Sequence, residues 1–115
     1  MGGLDTTCNG WANYATWRVN LEILDDYVSQ TVSDDADMRR AWLDLPTYSL
    51  GELLKEYADD AVTGYGELSD DFSGAGGLAV SYARAFLDDV NWYEIADHAQ
   101  RLALETQAYE ARAAA

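Results

Sequence analysis

The chain has 115 residues, 49% of them hydrophobic and 12% aromatic, a composition that suits one folded domain burying roughly two-thirds of its unfolded surface. Twenty-one Asp and Glu against seven Lys and Arg give a formal charge of −14, and such a surface repels nucleic acid, anionic lipid and phosphorylated substrates. The lone Cys8 excludes an internal disulfide, and no apolar run approaches the ~20 residues of a membrane span; the sequence reads as a soluble, intracellular protein with no membrane partner.

Residues 1–12 are expected to form a loosely held arm anchored by Trp11. Met1 to Thr6 fits the N-myristoylation pattern, but one acyl chain binds membranes only marginally and no basic cluster supports it. A first helix follows over Tyr14–Val28, with Asn13 as N-cap and Tyr14, Trp17, Leu21, Leu24 and Val28 recurring at steps of three and four. This stripe is expected to organise the other helices around it. Gln30 to Ser33 reads as a connector, and Ser33 or Asp34 as the cap of a second helix with Met38, Ala41, Trp42 and Leu45 on its apolar side. Pro46 ends that helix, because proline has no N–H and pushes the residue before it out of the helical region.

Ser49-Leu50-Gly51-Glu52 has the form of a capping box and is expected to open a third helix with Leu50, Leu53, Leu54, Tyr57 and Ala61 on one face. Gly64 is expected to stop it. From Gly64 to Gly77 the chain carries five Gly, two Ser and two Asp, so 65–77 reads as a long surface loop. A fourth helix is expected over Leu78–Val90, with Leu78, Tyr82, Phe86, Leu87 and Val90 inward. Asn91 caps a fifth, whose stripe is Trp92, Ile95, Ala99, Leu102, Ala103 and Tyr109, with the end from Ala111 to Ala115 fraying. No alternating strand pattern competes. The fold class is all-α: one domain over 1–115, a compact bundle of about five helices.

The acids come as adjacent pairs: Asp25-Asp26, Asp34-Asp35, Asp59-Asp60, Asp70-Asp71 and Asp88-Asp89. On these boundaries Asp25-Asp26, Asp59-Asp60 and Asp88-Asp89 lie near helix C-termini, where the macrodipole disfavours an anion by ~0.3–1 kcal/mol. A sequence shaped only for folding would place Lys or Arg there, and repeated violations in one direction point to function. The function they indicate is imitation of a nucleic-acid backbone, with the ten Asp as phosphate surrogates for a basic DNA- or RNA-binding protein. The alternative is that acidity serves solubility, while the partner is met by exposed aromatics. Helical spacing puts Trp17, Trp42 and Trp92 in the core and leaves Trp11, Tyr48 and Tyr65 as the contact residues.

Other chemistry finds little support. One His and one Cys exclude a zinc site within the chain. Asp34, Asp35 and Asp37 lack the Gly and distant Glu of a calcium loop, and the glycines around 64–77 lack the Lys of a phosphate cradle. His98, beside Asp97 and one turn after Glu94, has the form of a general base, but no nucleophile accompanies it. No catalytic residue, metal or cofactor is expected, and the protein reads as a non-enzyme.

Two motifs remain: Asn13-Tyr14-Ala15-Thr16-Trp17-Arg18-Val19-Asn20-Leu21 and Val90-Asn91-Trp92-Tyr93-Glu94-Ile95-Ala96. They resemble a family of small acidic proteins carried by phages, plasmids and other mobile elements, with an N-Y/E-x-T-W-x-V-x-L opening and a later N-W-x-E-I. The resemblance implies a setting in which small acidic proteins act as anti-restriction or anti-CRISPR inhibitors, and it transfers no catalytic residue. Within the motifs the residues themselves read as core and caps, and the acidic doublets lie outside both.

Overall fold

A computed structural model describes residues 7–63 and 75–114. Its helices are α1 (Tyr14–Val19), a π-helical turn (Asn20–Leu24), α2 (Asp25–Asp34), α3 (Ala36–Asp44), α4 (Thr47–Thr63), α5 (Ala75–Asp88) and α6 (Trp92–Ala114). Because α1, the π turn and α2 run on as one rod, the described residues form five helical rods, a single-domain all-α bundle.

The π turn reshapes the first rod. Its buried residues are Ala15, Thr16 and Val19 before the turn and Leu24, Val28 and Val32 after it. They step by four on either side and by five across the turn, where the Asp25 N–H reaches the Asn20 carbonyl. One inserted residue turns the helix surface by ~100°. A stripe drawn with uninterrupted α periodicity therefore fails at its start: Tyr14, ahead of the turn, is 48% and Leu21, within it, 55% exposed, whereas Leu24 and Val28 are buried as expected. Gln30 to Ser33 is not a connector. Val32 packs in the core and holds the rod helical to Asp34.

Asp35, not Ser33 or Asp34, caps α3, its carboxylate accepting from the Met38 N–H at 2.9 Å. Trp42 is buried, while Met38 and Ala41 face solvent. Arg39 is buried too, donating to the Val32 carbonyl at 2.6 Å and to Glu110 at 2.5 Å, which ties the end of α2 to the far end of α6. Leu45 takes the extended conformation required before proline (φ −81, ψ 145). Past Pro46 a helix begins at once, the Leu50 N–H bonding to the Pro46 carbonyl at 3.1 Å. Ser49 thus lies inside α4 rather than at its cap. The core face of α4 is Leu50, Leu54 and Ala58, with Tyr57 half-buried and Leu53 and Ala61 exposed.

The first rod touches each of the other four, as expected, and α6 forms a second centre, packing most extensively on α4 and also on α2 and α3. Its inward face is Ile95, Ala96, Ala99 and Ala103, small side chains that let neighbouring backbones come close. Gly51 of α4 uses that room: a Cβ there would stand 3.1 Å from the Trp92 carbonyl oxygen. Gln100 fastens the α3–α4 corner, donating to the Trp42 and Leu45 carbonyls at 3.0 and 2.9 Å and accepting from the Thr47 hydroxyl at 2.8 Å. Tyr109 stays in solvent, and the Ala-rich stretch is helical as far as Ala114 instead of fraying.

Two further stretches differ from expectation. The N-terminal arm is pinned from Cys8 onward. Asn9 and Gly10, at φ +49 and +85, make a two-residue turn that lets Cys8 and Trp11 bond to each other reciprocally at 2.9 and 2.8 Å. The helix α5 begins at Ala75, so 75–77 belong to it rather than to a loop. Of its expected inward residues only Leu87 and Val90 are buried, and Leu78, Tyr82 and Phe86 lie exposed. The rest of the expected loop, with the Gly64 stop, lies outside the described residues, as does the acyl-acceptor Gly2. No described helix is long and apolar enough to cross a membrane.

Candidate interaction surface

The two sequence motifs meet, and what they build is structural. Asn13 caps α1 by accepting from the Thr16 N–H at 2.8 Å and the Thr16 hydroxyl at 2.7 Å. Asn91 caps α6 in the same way, accepting from the Glu94 N–H at 3.0 Å. The two caps are then cross-linked. The Asn91 N–H donates to the Thr16 hydroxyl at 2.8 Å, and the Asn13 amide donates to the Asp89 carbonyl at 2.8 Å. Glu94 accepts from the Ala12 N–H at 2.9 Å, and the Trp92 indole donates to the Leu87 carbonyl at 3.0 Å, covering the end of α5. Every polar motif group so placed satisfies a helix terminus, which leaves none of them for chemistry.

His98 and Glu94 line a hollow of about 290 Å³ with Gly10, Trp11, Asp97 and Arg101. Glu94 is engaged by Ala12, Asp97 by Arg101 at 3.0 Å, and His98 stands edge-on to Trp11 at 5.2 Å. No Ser, Thr or Cys lines that hollow, and no described group of three or more His, Cys, Asp or Glu is placed to hold a metal ion. Trp11, expected to meet a partner, instead packs half-buried on the core, and Trp17 and Trp92 are half-buried rather than fully internal. Tyr48 is exposed as expected, and Tyr65 lies outside the described residues.

The acidic doublets divide into groups with different surroundings. Asp25 and Asp26 are exposed, but more than two turns before the rod's end, so the dipole gives them no special disadvantage. Asp34 does end α2, whereas Asp35 sits at an N-cap, where a carboxylate is favourable. Asp88-Asp89 is at the C-terminal end of α5 as expected, and Asp59-Asp60 stands near the last described residues of α4. Asp70 and Asp71 lie outside the described residues. The structure brings together Asp59 and Asp88, in a cleft of about 400 Å³ between α4 and α5 that Glu52, Lys55, Glu56 and Arg84 also line. There Arg84 pairs with Asp59 at 3.0 Å and Lys55 with Asp88 at 3.4 Å.

Cations are thus consumed locally. Ion pairs among the described residues engage Arg18 with Glu22, Arg39 with Glu110, Arg40 with Asp37, Lys55 with Asp88, Arg84 with Asp59 and Arg101 with Asp97. Arg18 is held still more firmly charged by hydrogen bonds to Glu22 and to the Tyr14 hydroxyl, with the Coulombic pull of Glu22 adding to them. Carboxylates dominate what is left, and α4 sets them in a row. Glu52, Glu56 and Asp60 are all exposed and stand at successive four-residue steps, one charge per ~6 Å of helix. Sequence reasoning fixed on adjacent Asp pairs and passed over the two Glu. The signal was their i, i+4 spacing along one helix face.

Set against known protein families, curated proteins and solved structures, the chain finds no match in any of the three.

Proposed function

We propose that the protein is a non-enzymatic antagonist of a nucleic-acid-binding defence system of a bacterial host, of the anti-restriction or anti-CRISPR kind, working in the cytoplasm by laying carboxylates into a basic groove. The observation that carries this reading is the row Glu52–Glu56–Asp60, exposed on a rigid helix at ~6 Å spacing. One strand of duplex DNA presents a charge per ~3.4 Å of axis, so a single helix edge supplies more than half that density. The row works against α4 itself, since like charges at i, i+4 cost the helix ~0.2–0.5 kcal/mol per pair. Asp25, Asp26, Asp34 and Asp89 extend the exposed charge, whereas Asp35, Asp59 and Asp88 have partners of their own.

The test is displacement of labelled duplex DNA from purified restriction nucleases and CRISPR effector complexes, read by fluorescence anisotropy across a salt series. Displacement that weakens steeply with salt and is lost in the triple variant Glu52→Gln, Glu56→Gln, Asp60→Asn is the expected result. Salt-independent displacement, or full displacement by the triple variant, overturns the reading. A second reading, recognition through exposed aromatics with acidity serving solubility, is favoured by Tyr48, the expected contact residue that does face solvent. It predicts that Tyr48→Ala, not the triple variant, abolishes binding.

A further inference from the structure

The outer face of α5 differs from the rest of the surface. Between Ala75 and Leu87 the helix carries no Asp or Glu, and Arg84 is its one charge, in a chain with twenty-one acids. Leu78, Tyr82 and Phe86 recur at four-residue steps on that face, 51%, 68% and 37% exposed. Tyr14 of α1 adds to the patch, its ring 6.4 Å from Phe86 and edge-on to it. Among the described residues the packing of α5 is against α4, with α1 at one side, and none of them covers this row. Arg84 leans away toward α4, where Asp59 holds it. A groove of about 170 Å³ opens beside Phe86, lined by Val19, Ile23, Val62 and Ala83 and edged by the Arg18–Glu22 ion pair, and is large enough for an apolar side chain.

We infer that this face of α5 is the contact between two copies of the chain. Charge selects the occupant. A basic partner would call for unpaired carboxylates, and the Leu78–Tyr82–Phe86 row carries none, while Glu22 at the groove beside it is paired with Arg18. A surface stripped of acid suits a partner that is itself acidic, and each copy of this chain carries −14. Two copies joined through any acid-bearing face would set like charges against each other, at a cost of several kcal/mol. Joined face to face through α5, they appose Leu78, Tyr82 and Phe86 of one with the same row of the other, as a two-fold contact requires. The stripe covers a few hundred Å² per copy, at the small end of specific interfaces, so the dimer is weak, with a Kd of about micromolar or above.

This inference is independent of the proposed decoy function, and its salt dependence has the opposite sign. Screening relieves repulsion between two anionic copies, so salt strengthens the dimer, while it weakens attraction to a basic groove. Sedimentation equilibrium of the isolated protein, from low micromolar to submillimolar at low and high salt, reads the Kd directly. The expected result is a reversible dimer about tenfold tighter at high salt, lost in Tyr82→Glu and in the milder pair Leu78→Ser with Tyr82→Ser. Leu104→Glu, an equally exposed leucine on α6 at 57%, leaves it intact. A monomer at every concentration and salt, a dimer that salt weakens, or a dimer untouched by the Ser pair overturns the inference.

Discussion

Replacing Thr16 by Val tests the joint between the two helix caps. Thr16 is fully buried, and its hydroxyl both donates to Asn13 at 2.7 Å and accepts from the Asn91 N–H at 2.8 Å. Val keeps the shape and removes both bonds. Asn13 loses little, since its carbonyl oxygen still holds the Thr16 N–H at 2.8 Å. The Asn91 N–H is the group left stranded at the start of α6, and orphaning a donor away from water costs about 1–3 kcal/mol. The extra methyl recovers less than about 1 kcal/mol, so the net loss is about 2 kcal/mol, a fall in Tm of roughly 8 °C at this chain length. Thr16→Ser keeps the hydroxyl and forfeits only a methyl, at about 1 kcal/mol. Urea and thermal denaturation followed by far-UV circular dichroism rank the two. If Val is no worse than Ser, the hydroxyl does not join the caps and the account of both motifs fails.

Gly51→Ala sets two effects against each other. Helix propensity favours Ala by about 1 kcal/mol, but the added Cβ meets Trp92 backbone at 3.1 Å, and overpacking costs about 1–3 kcal/mol. The expected outcome is a net loss of about 1 kcal/mol in urea unfolding, and a gain would mean that α4 and α6 lie farther apart than described. Arg39→Ala should cost about 3 kcal/mol and Arg39→Met less than about 1. The Met stem refills the buried space, the unpartnered Arg39 Nε–H disappears, and Glu110 remains half in water; equal losses would refute this. Burial pushes the Tyr27 phenol above its usual value of 10.0, with Tyr57, stacked on it at 3.8 Å, adding to the shift. With the folded value above the unfolded one, the unfolded chain releases its proton first, so stability is intact below pH 10 and falls as pH rises through the folded value. Tyr27→Phe should flatten that alkaline loss in a series of urea midpoints from neutral pH upward, and an unchanged slope would show that another group drives it.

Helix number and the two Asn caps were legible because capping chemistry is local: an Asn three residues before an available N–H needs no knowledge of the tertiary fold. The Asn9-Gly10 turn was equally local, with φ > 0 at both residues as that dipeptide favours, and reading residues 1–12 as an arm passed over it. Faces were harder. Ala15–Val19 and Tyr14–Trp17–Leu21 are both apolar rows on one helix. Only the partner packed against the rod, and the π turn that re-aims it, decides which is buried. On α5 the apolar row Leu78–Tyr82–Phe86 reads as core because periodicity reports apolarity and not what covers it. A row that satisfies the pattern yet stays exposed is what an unfilled interface looks like in sequence.

Helix ends decide how far the charge argument reaches. The dipole penalty was assigned to three doublets, and the rod's extension to Asp34 removes one of them, since Asp25 and Asp26 stand inside a helix. Of the survivors, Asp59 and Asp88 hold Arg84 and Lys55 across the α4–α5 cleft, so each has a folding role comparable in size to the dipole penalty. Asp60 and Asp89 make no such cross-helix ion pair. Like Glu52 and Glu56 on α4, and Asp25, Asp26 and Asp34 on α2, they are exposed acids with no ion pair among the described residues. Neutralising the α4 row should therefore stabilise the protein by a few tenths of a kcal/mol per pair relieved while removing its hold on a basic groove. Mutations that help the fold and harm the activity mark residues kept for function. A triple variant that loses both stability and binding would instead assign these carboxylates to the scaffold, and the acidity of α4 would need a different cause.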